Sequence, residues 1–315
     1  RVAFLDDCQD CAGEFGDWGP LGDKLHITSF TDHLDNEDAI AERLRDFDVI
    51  CAMRERTPFP RSQLDKLPNL KLLITSGMRN NSIDYDACRD NEITLCGTPM
   101  AGAPTADLTW GLILGLARQI PQEDRRVRAG GWQETIGIGI AGKTLGVIGL
   151  GKLGGAVAKI GQAFGANVIA WSQNLTEERC QEIGARLVTK EELMTQSDFI
   201  TIHLVLSDRT RGIVSAEDLA LMKPTAFLIN TARGPLVDED ALAGILEQGA
   251  IAGAGLDVFG TEPLPADHPF RRLENTVITP HLGYVEQDNY RAYFEGYKDA
   301  IQGFLEGAPV NVLNG

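Results

Sequence analysis

The segment Gly149-Leu150-Gly151-Lys152-Leu153-Gly154 lies between an apolar run, Leu145-Gly146-Val147-Ile148, and a helix-patterned one, Ala156-Val157-Ala158-Lys159-Ile160. Few features restrict a fold as much. A glycine-rich turn entered from a strand and left by a helix belongs to a βαβ unit of a parallel sheet. Gly149 allows the tight turn, Gly151 lets backbone approach a diphosphate, and Gly154 lets helix and strand close up. The free N–H groups and dipole of the following helix favour an anion there. A lone match could be a plain structural turn. The strand before it and the helix after it favour a dinucleotide site built on Gly149, Gly151 and Gly154.

The rest of the chain repeats the same alternation. In the first hundred residues, strands are expected at 2–5, 24–28, 49–53, 70–75 and 93–96, with helices near 36–45, 62–67 and 84–91. A Gly/Pro-rich linker, 97–104, marks a boundary. A long apolar helix is expected over 105–120, then a loop holding Gly130-Gly131-Trp132 and residues 137–142. A second series follows, with strands at 144–149, 168–171, 199–202, 226–230, 253–258 and 276–279. Its helices fall at 153–164, 176–183, 215–221 and 239–248. This gives a doubly wound parallel sheet of about six strands. A last helix over 286–306 carries a stripe of Tyr290, Tyr293, Phe294, Tyr297 and Ile301 and is expected to return to the first domain. The expected domains are 1–99 with 285–315, and 100–284. Two crossings between them suggest a hinge and a cleft.

Composition limits the partners. The 315 residues carry a net charge of −16, which repels phosphate backbones and anionic lipids, so neither nucleic acid nor membrane is expected. Small anionic substrates must be drawn in by local cations. No apolar run reaches a membrane span, and no signal-peptide pattern is visible. Six cysteines are scattered. Cys8-x-x-Cys11 lacks a second ligand pair, so no metal is expected. Asp7 and Asp10 beside these thiols oppose a redox role. The expected setting is a reducing cytoplasm.

Three residues sit just past strand ends in the second series: Arg233 in Asn230-Thr231-Ala232-Arg233-Gly234, Glu262 in Phe259-Gly260-Thr261-Glu262-Pro263, and His281 in Thr279-Pro280-His281-Leu282-Gly283. Doubly wound folds bind ligands at that edge. Reducing a 2-oxo acid takes a hydride and a proton. An imidazolium can supply the proton, a carboxylate can hold the imidazole charged and in one tautomer, and a guanidinium can grip the substrate carboxylate. Singly, each could be structural. The second strand of this series ends in Ser172 and Gln173, where an acid would grip ribose hydroxyls and favour NAD. Nothing at this end repels a 2′-phosphate, and no arginine there clamps one, although Lys152 can reach from the loop. NAD is the expected cofactor, with NADP as the alternative.

Over essentially its whole length the chain resembles the D-isomer-specific 2-hydroxyacid dehydrogenases. The resemblance rests on the 149–154 turn, Asn230-Thr231-Ala232-Arg233-Gly234, Gly255-Leu256-Asp257-Val258-Phe259, Glu262-Pro263 and Pro280-His281-Leu282-Gly283. It implies a Rossmann domain plus a flavodoxin-like substrate domain, usually in a homodimer to which the long helix contributes. It implies catalytic roles for Arg233, Glu262 and His281. It also implies cofactor contacts from Thr105, Leu153, His203, Thr231, Ala232, Asp257 and Gly283, with Asp257 near the nicotinamide carboxamide. The activity implied is the interconversion of a small D-2-hydroxy acid and its 2-oxo acid, as in a glyoxylate or hydroxypyruvate reductase.

There are departures. The segment expected to bind the substrate carboxylate through backbone N–H groups reads Thr75-Ser76-Gly77-Met78-Arg79-Asn80-Asn81, with Arg79 where glycine is common and Asn81 where aspartate is common. Val205 replaces a common proline. Gly77, Met78, Arg79 and Arg54 are candidate substrate contacts, and Arg79, Arg54 or Arg56 is expected to meet a second anionic group unless these arginines form surface ion pairs. Two other readings of the same fold are a nucleotide-sensing corepressor and a formate dehydrogenase. The intact trio opposes the first. Glu262 opposes the second, where the resemblance implies a glutamine beside the histidine.

Overall fold

A computed structural model describes residues 1–315 apart from the side chain of Asp23. In chain order the elements are β1 (Val2–Phe4), α1 (Ala12–Phe15), β2 (Ile27–Ser29), α2 (Glu37–Leu44), β3 (Val49–Ala52), α3 (Arg61–Leu64), β4 (Leu72–Thr75), α4 (Tyr85–Asp90) and β5 (Thr94–Gly97). Then come α5 (Pro104–Ala117), α6 (Ile120–Arg128), β6 (Thr144–Ile148), α7 (Lys152–Ala163), β7 (Asn167–Trp171), α8 (Glu177–Ile183), β8 (Arg186–Leu187), α9 (Lys190–Gln196), β9 (Phe199–Ile202), α10 (Ala216–Ala220), β10 (Phe227–Asn230), α11 (Glu239–Glu247), β11 (Gly253–Leu256), β12 (Thr276–Ile278) and α12 (Gln287–Leu305). The chain divides into two compact units, Arg1–Gly102 with Glu286–Gly315, and Ala103–Val285.

The first unit is a five-stranded parallel sheet in the order β2-β1-β3-β4-β5, the flavodoxin-like order. Its strands β1, β3 and β4 are buried along their whole length, as expected of a parallel sheet covered on both faces. The apolar stripe of α12 is buried through Tyr290, Tyr293, Phe294, Tyr297 and Ile301, and Tyr297 Oη donates to Ala52 O at the end of β3. Two expectations shift here. The strand expected at 24–28 begins at Ile27, because residues Gly19–Lys24, with Pro20 near the start, wind into a 3₁₀ turn. The helix expected at 62–67 is a single turn, Arg61–Leu64.

The second unit is a seven-stranded parallel sheet in the order β12-β11-β10-β9-β6-β7-β8. Read from β6, this is the doubly wound Rossmann order with an added outer strand. The expected count of about six is corrected to seven, since the two-residue β8 pairs with β7. The helix α9 was also not anticipated; its capping box, Thr189 with Glu192, closes its first turn. The expected helix 105–120 is broken into α5 and α6. Pro121 has no N–H and cannot continue the ladder from Ala117. The Ala117 carbonyl it leaves free accepts from Ile138 N–H at 2.7 Å instead.

One row crosses this sheet near its carboxyl edge. Trp171, Ile148, Ile202, Asn230, Leu256 and Ile278 are register partners on successive strands. The residues that follow them, Ser172, Gly149, His203, Thr231, Asp257 and Thr279, therefore emerge side by side. Apart from Thr105 at the start of α5, the candidate residues of this unit grow from that row or the segments just beyond it.

Candidate active site

The glycine turn has the geometry that a diphosphate requires. Gly149 has φ +95°, and a Cβ there would sit 2.7 Å from His203 O; a Cβ on Gly154 would overlap Gly149 O. Both positions therefore demand glycine. Gly151 is different: a Cβ there meets nothing within 4 Å. Its face is open above the first turn of α7, where the N–H groups of Lys152, Leu153 and Gly154 have no partner within the helix. Beside the turn, His203 Nε2 bonds Thr201 Oγ1 at 2.9 Å, while its Nδ1 is enclosed without a partner. Burial pulls this imidazole down to about 3, so it is neutral through the physiological range. These residues fit a dinucleotide.

At the other end of the row, Glu262 holds His281. Glu262 Oε2 lies 2.6 Å from His281 Nδ1, and Oε1 accepts Phe259 N–H at 2.9 Å. Both carboxylate oxygens are thereby engaged, and the imidazole is held through Nδ1. Burial works against the Glu262 charge. The bond and charge of His281, the Phe259 N–H and the Arg233 guanidinium outweigh it, and the carboxyl falls below its ordinary range. Arg233 is thus close enough to Glu262 to act on it electrostatically. Its own Nη1 donates to Ala232 O at 2.7 Å.

The backbone that carries these groups is shaped by residues with no chemistry of their own. Asn230 Nδ2 donates to Arg233 O, and its Oδ1 accepts Ala232 N–H, which closes the 230–233 turn. A Cβ on Gly234 would overlap Phe259 C, so only glycine lets the Arg233 loop lie against the Glu262 loop. His281 has φ +55°, an uncommon conformation for a residue with a side chain. Asp257 surrounds that turn: its carboxylate accepts from Thr279 Oγ1 at 2.6 Å, Leu282 N at 2.7 Å and Gly283 N at 2.8 Å. Burial nonetheless raises its pKa. Both Asp257 oxygens are engaged in holding the His281 loop.

Three threonines tie α5 to the same loops. Thr231 Oγ1 bonds Thr109 Oγ1 at 2.8 Å, Thr109 donates to Thr105 O at 2.7 Å, and Thr105 Oγ1 donates to Gly283 O at 2.7 Å. Thr105, Thr231, Asp257 and Gly283 thus form one network. Asn230, Thr109 and Thr279 belong to it, although the sequence reading assigned them nothing. Arg179 was also missed. It reaches from α8 to the glycine turn, donating to Leu150 O and Gly151 O. Gln173 is exposed and Ser172 half-buried at the end of β7.

In the first unit, the candidates lie on loops after β1, β3 and β4. Arg54 has φ +53°; its N–H donates to Ser76 Oγ and its Nη1 to Ser76 O at 3.0 Å. A Cβ on Gly77 (φ +84°) would collide with that guanidinium. Gly77 N–H is taken by Thr98 Oγ1 at 3.0 Å. Met78 is exposed. Arg79 Nε donates to Asn81 Oδ1, so the two unusual residues of this loop pair with each other. Buried Asn80, between them, holds Arg54 O and Thr75 Oγ1. Arg56 Nη1 lies 3.0 Å from Cys8 Sγ. Cys11 bonds Asp7, and burial together with that carboxylate pushes its thiol far above the usual range.

Among the described residues, no helix is long and apolar enough to cross a membrane, and no group of three or more His, Cys, Asp or Glu could hold a metal ion.

Comparison with known proteins identifies the family. The NAD binding domain of the D-isomer specific 2-hydroxyacid dehydrogenases matches residues 110–283, more than half of the chain. This chain belongs to that family. A glyoxylate reductase of Thermococcus litoralis is 35% identical over 87% of this chain and 86% of its own length. A D-3-phosphoglycerate dehydrogenase of Methanocaldococcus jannaschii is 37% identical over 88% of this chain, which spans only 54% of that protein. Among solved structures, a putative D-3-phosphoglycerate dehydrogenase oxidoreductase from Ralstonia solanacearum superposes with a TM-score of 0.93 at 35% identity, covering 99% of this chain and 96% of that one. The family consists of NAD(P)-dependent oxidoreductases that act on the CH–OH group of 2-hydroxy acids.

Proposed function

We propose that this chain reduces a small 2-oxo acid to its D-2-hydroxy acid, and runs the reverse oxidation, with His281, Glu262 and Arg233 as its catalytic residues. The observation that carries the reading is the His281–Glu262 pair, 2.6 Å apart, with the second carboxylate oxygen fixed by Phe259 N–H. A dinucleotide bound at the glycine turn supplies the hydride in reduction and takes it up in oxidation. His281 Nε2 donates the proton that the nascent alkoxide needs, and in oxidation it removes that proton. Glu262 stays ionised and holds Nδ1–H, so the proton in play is the one on Nε2. Arg233 grips the substrate carboxylate and polarises the carbonyl.

Glyoxylate and hydroxypyruvate are the substrates we favour; for a dicarboxylic or phosphorylated 2-oxo acid, Arg79 or the nearby Arg54 or Arg56 is assigned to the second anionic group. A screen of glyoxylate, hydroxypyruvate, pyruvate, phenylpyruvate and oxaloacetate against NADH and NADPH tests the activity. Turnover of one or more, absent with the corresponding simple aldehydes, supports the reading; no turnover of any 2-oxo acid refutes it.

We also infer a homodimer. Ile120 and Val127 of α6, and Trp132 and Ile136 of the loop beyond it, are exposed apolar side chains on one stretch of chain, which a second copy would cover. A monomer mass by light scattering would refute this. Six free thiols suit a reducing compartment, and we place the protein in the cytoplasm.

A further inference from the structure

The glycine turn holds a cation that the end of β7 does not announce. Arg179 turns back from α8 over the glycine turn, with Nε 3.0 Å from Leu150 O and Nη2 3.2 Å from Gly151 O. On its outer side Nη1 meets Glu182 Oε2 at 2.8 Å. That pair is a solvent-exposed i,i+3 contact, which a stronger anion can replace at little cost. These three hydrogen bonds use only part of the guanidinium's donors.

In a doubly wound sheet the adenosine ribose sits between the glycine turn and the end of the second strand. Here Ile148 pairs with Trp171, and Gly149 N–H donates to Trp171 O at 2.9 Å. The chain leaving β7 as Ser172-Gln173-Asn174 therefore runs beside the turn that Arg179 holds. An acid there would bind a ribose hydroxyl and repel a phosphate; none of these three residues is charged. Lys152 stands exposed at the start of α7, next to Gly151. The acids of α8 are Glu177 and Glu178, exposed on its first turn, and Glu182.

We propose that Arg179, with Lys152 and the uncharged Ser172–Gln173 strand end, forms a subsite for the adenosine 2′-phosphate, so that this chain binds NADPH more tightly than NADH. A guanidinium matches a phosphate bidentately, and one already anchored to two backbone carbonyls loses little freedom on binding. The subsite lies at the adenosine end and does not depend on which residue carries the catalytic proton.

Fluorescence titration of the full chain with NADPH and NADH tests it, with 2′,5′-ADP and 5′-AMP as competitors. The wild type should bind NADPH about tenfold or more tighter than NADH, and 2′,5′-ADP should compete better than 5′-AMP. Arg179→Ala should lower the NADPH-to-NADH affinity ratio by about tenfold or more. Because the ratio is taken within one variant, a general loosening of the turn cancels. Gln173→Glu leaves the Arg179 contacts in place and should lower the same ratio, which keeps the test open if Arg179→Ala fails to fold. A wild type that binds NADH at least as tightly as NADPH overturns the proposal. So does a ratio unmoved in both variants, which would leave Arg179 as a brace of the glycine turn only.

Discussion

The carboxyl edges of the two sheets are built by similar means and differ in what they expose. In the second unit, the buried polar groups Asn230 and Asp257 hold the backbone that carries Arg233 and His281, and His281 is held in turn by Glu262. In the first unit, Asp6 and Arg54 also adopt positive φ, and Asp6 is held by His33 and Thr57, both at 2.7 Å. Cations of both edges bond locally, Arg233 onto Ala232 O, Arg54 onto Ser76 O and Arg79 onto Asn81. Each edge also pairs a carboxylate with an imidazole, but Asp6 of the first is buried and Glu262 of the second is partly exposed. The second edge is the one to which the proposed reaction is assigned. The first is a set of loops braced by hydrogen bonds among their own residues. Activity and substrate choice should therefore respond to different mutations.

The largest expected effect is at His281. His281→Ala should lower kcat by about 10²–10⁴-fold with cofactor binding retained. Single-turnover kinetics beside a nucleotide titration would show it, and near-normal turnover would break the contrast between the edges. Next is Gly234→Ala. Its Cβ must push the Arg233 loop off Phe259, so kcat/KM should fall on the order of 10²-fold for every substrate alike. A smaller and selective effect is expected in the first unit. Arg79→Ala should reduce kcat/KM for oxaloacetate by roughly tenfold relative to pyruvate; an unchanged ratio would remove Arg79 from substrate choice.

The smallest effect concerns stability. His203 titrates at about 3 in the fold and near 6.5 unfolded. The unfolded chain therefore takes up a proton that the folded chain refuses. This stability is complete above about pH 6.5 and is lost as pH falls toward 3. Between pH 7.5 and 5, His203→Gln should flatten the pH dependence of urea unfolding by on the order of 1 kcal/mol. Wild type and variant with parallel pH profiles would contradict it.

Much of the second unit was legible because its signals are local. The glycine turn needs only neighbours in sequence, and each member of the trio follows an apolar strand run. What was missed is tertiary. Arg179 meets the glycine turn only because β7 lies beside β6 and α8 folds back, and nothing near Ser172 in sequence foretells that. Asn230 and Thr279 were in view, but their bonds run to backbone that only the fold brings close. β8 is too short to leave a pattern, whereas the Thr189-x-x-Glu192 box of α9 was readable and overlooked. At α5, Pro121 was the stop signal, and the apolar run through Ile120 masked it.

The central claim is that Glu262 and His281 act as one bonded pair in proton transfer. The pH profile of kcat/KM for reduction of one 2-oxo acid, measured on wild type and Glu262→Gln, tests it most directly. The bond and charge of His281 help hold Glu262 ionised, so removing the carboxylate should move the limb set by this pair to lower pH. A variant with an unshifted profile and merely reduced activity would make Glu262 a structural residue and contradict the account.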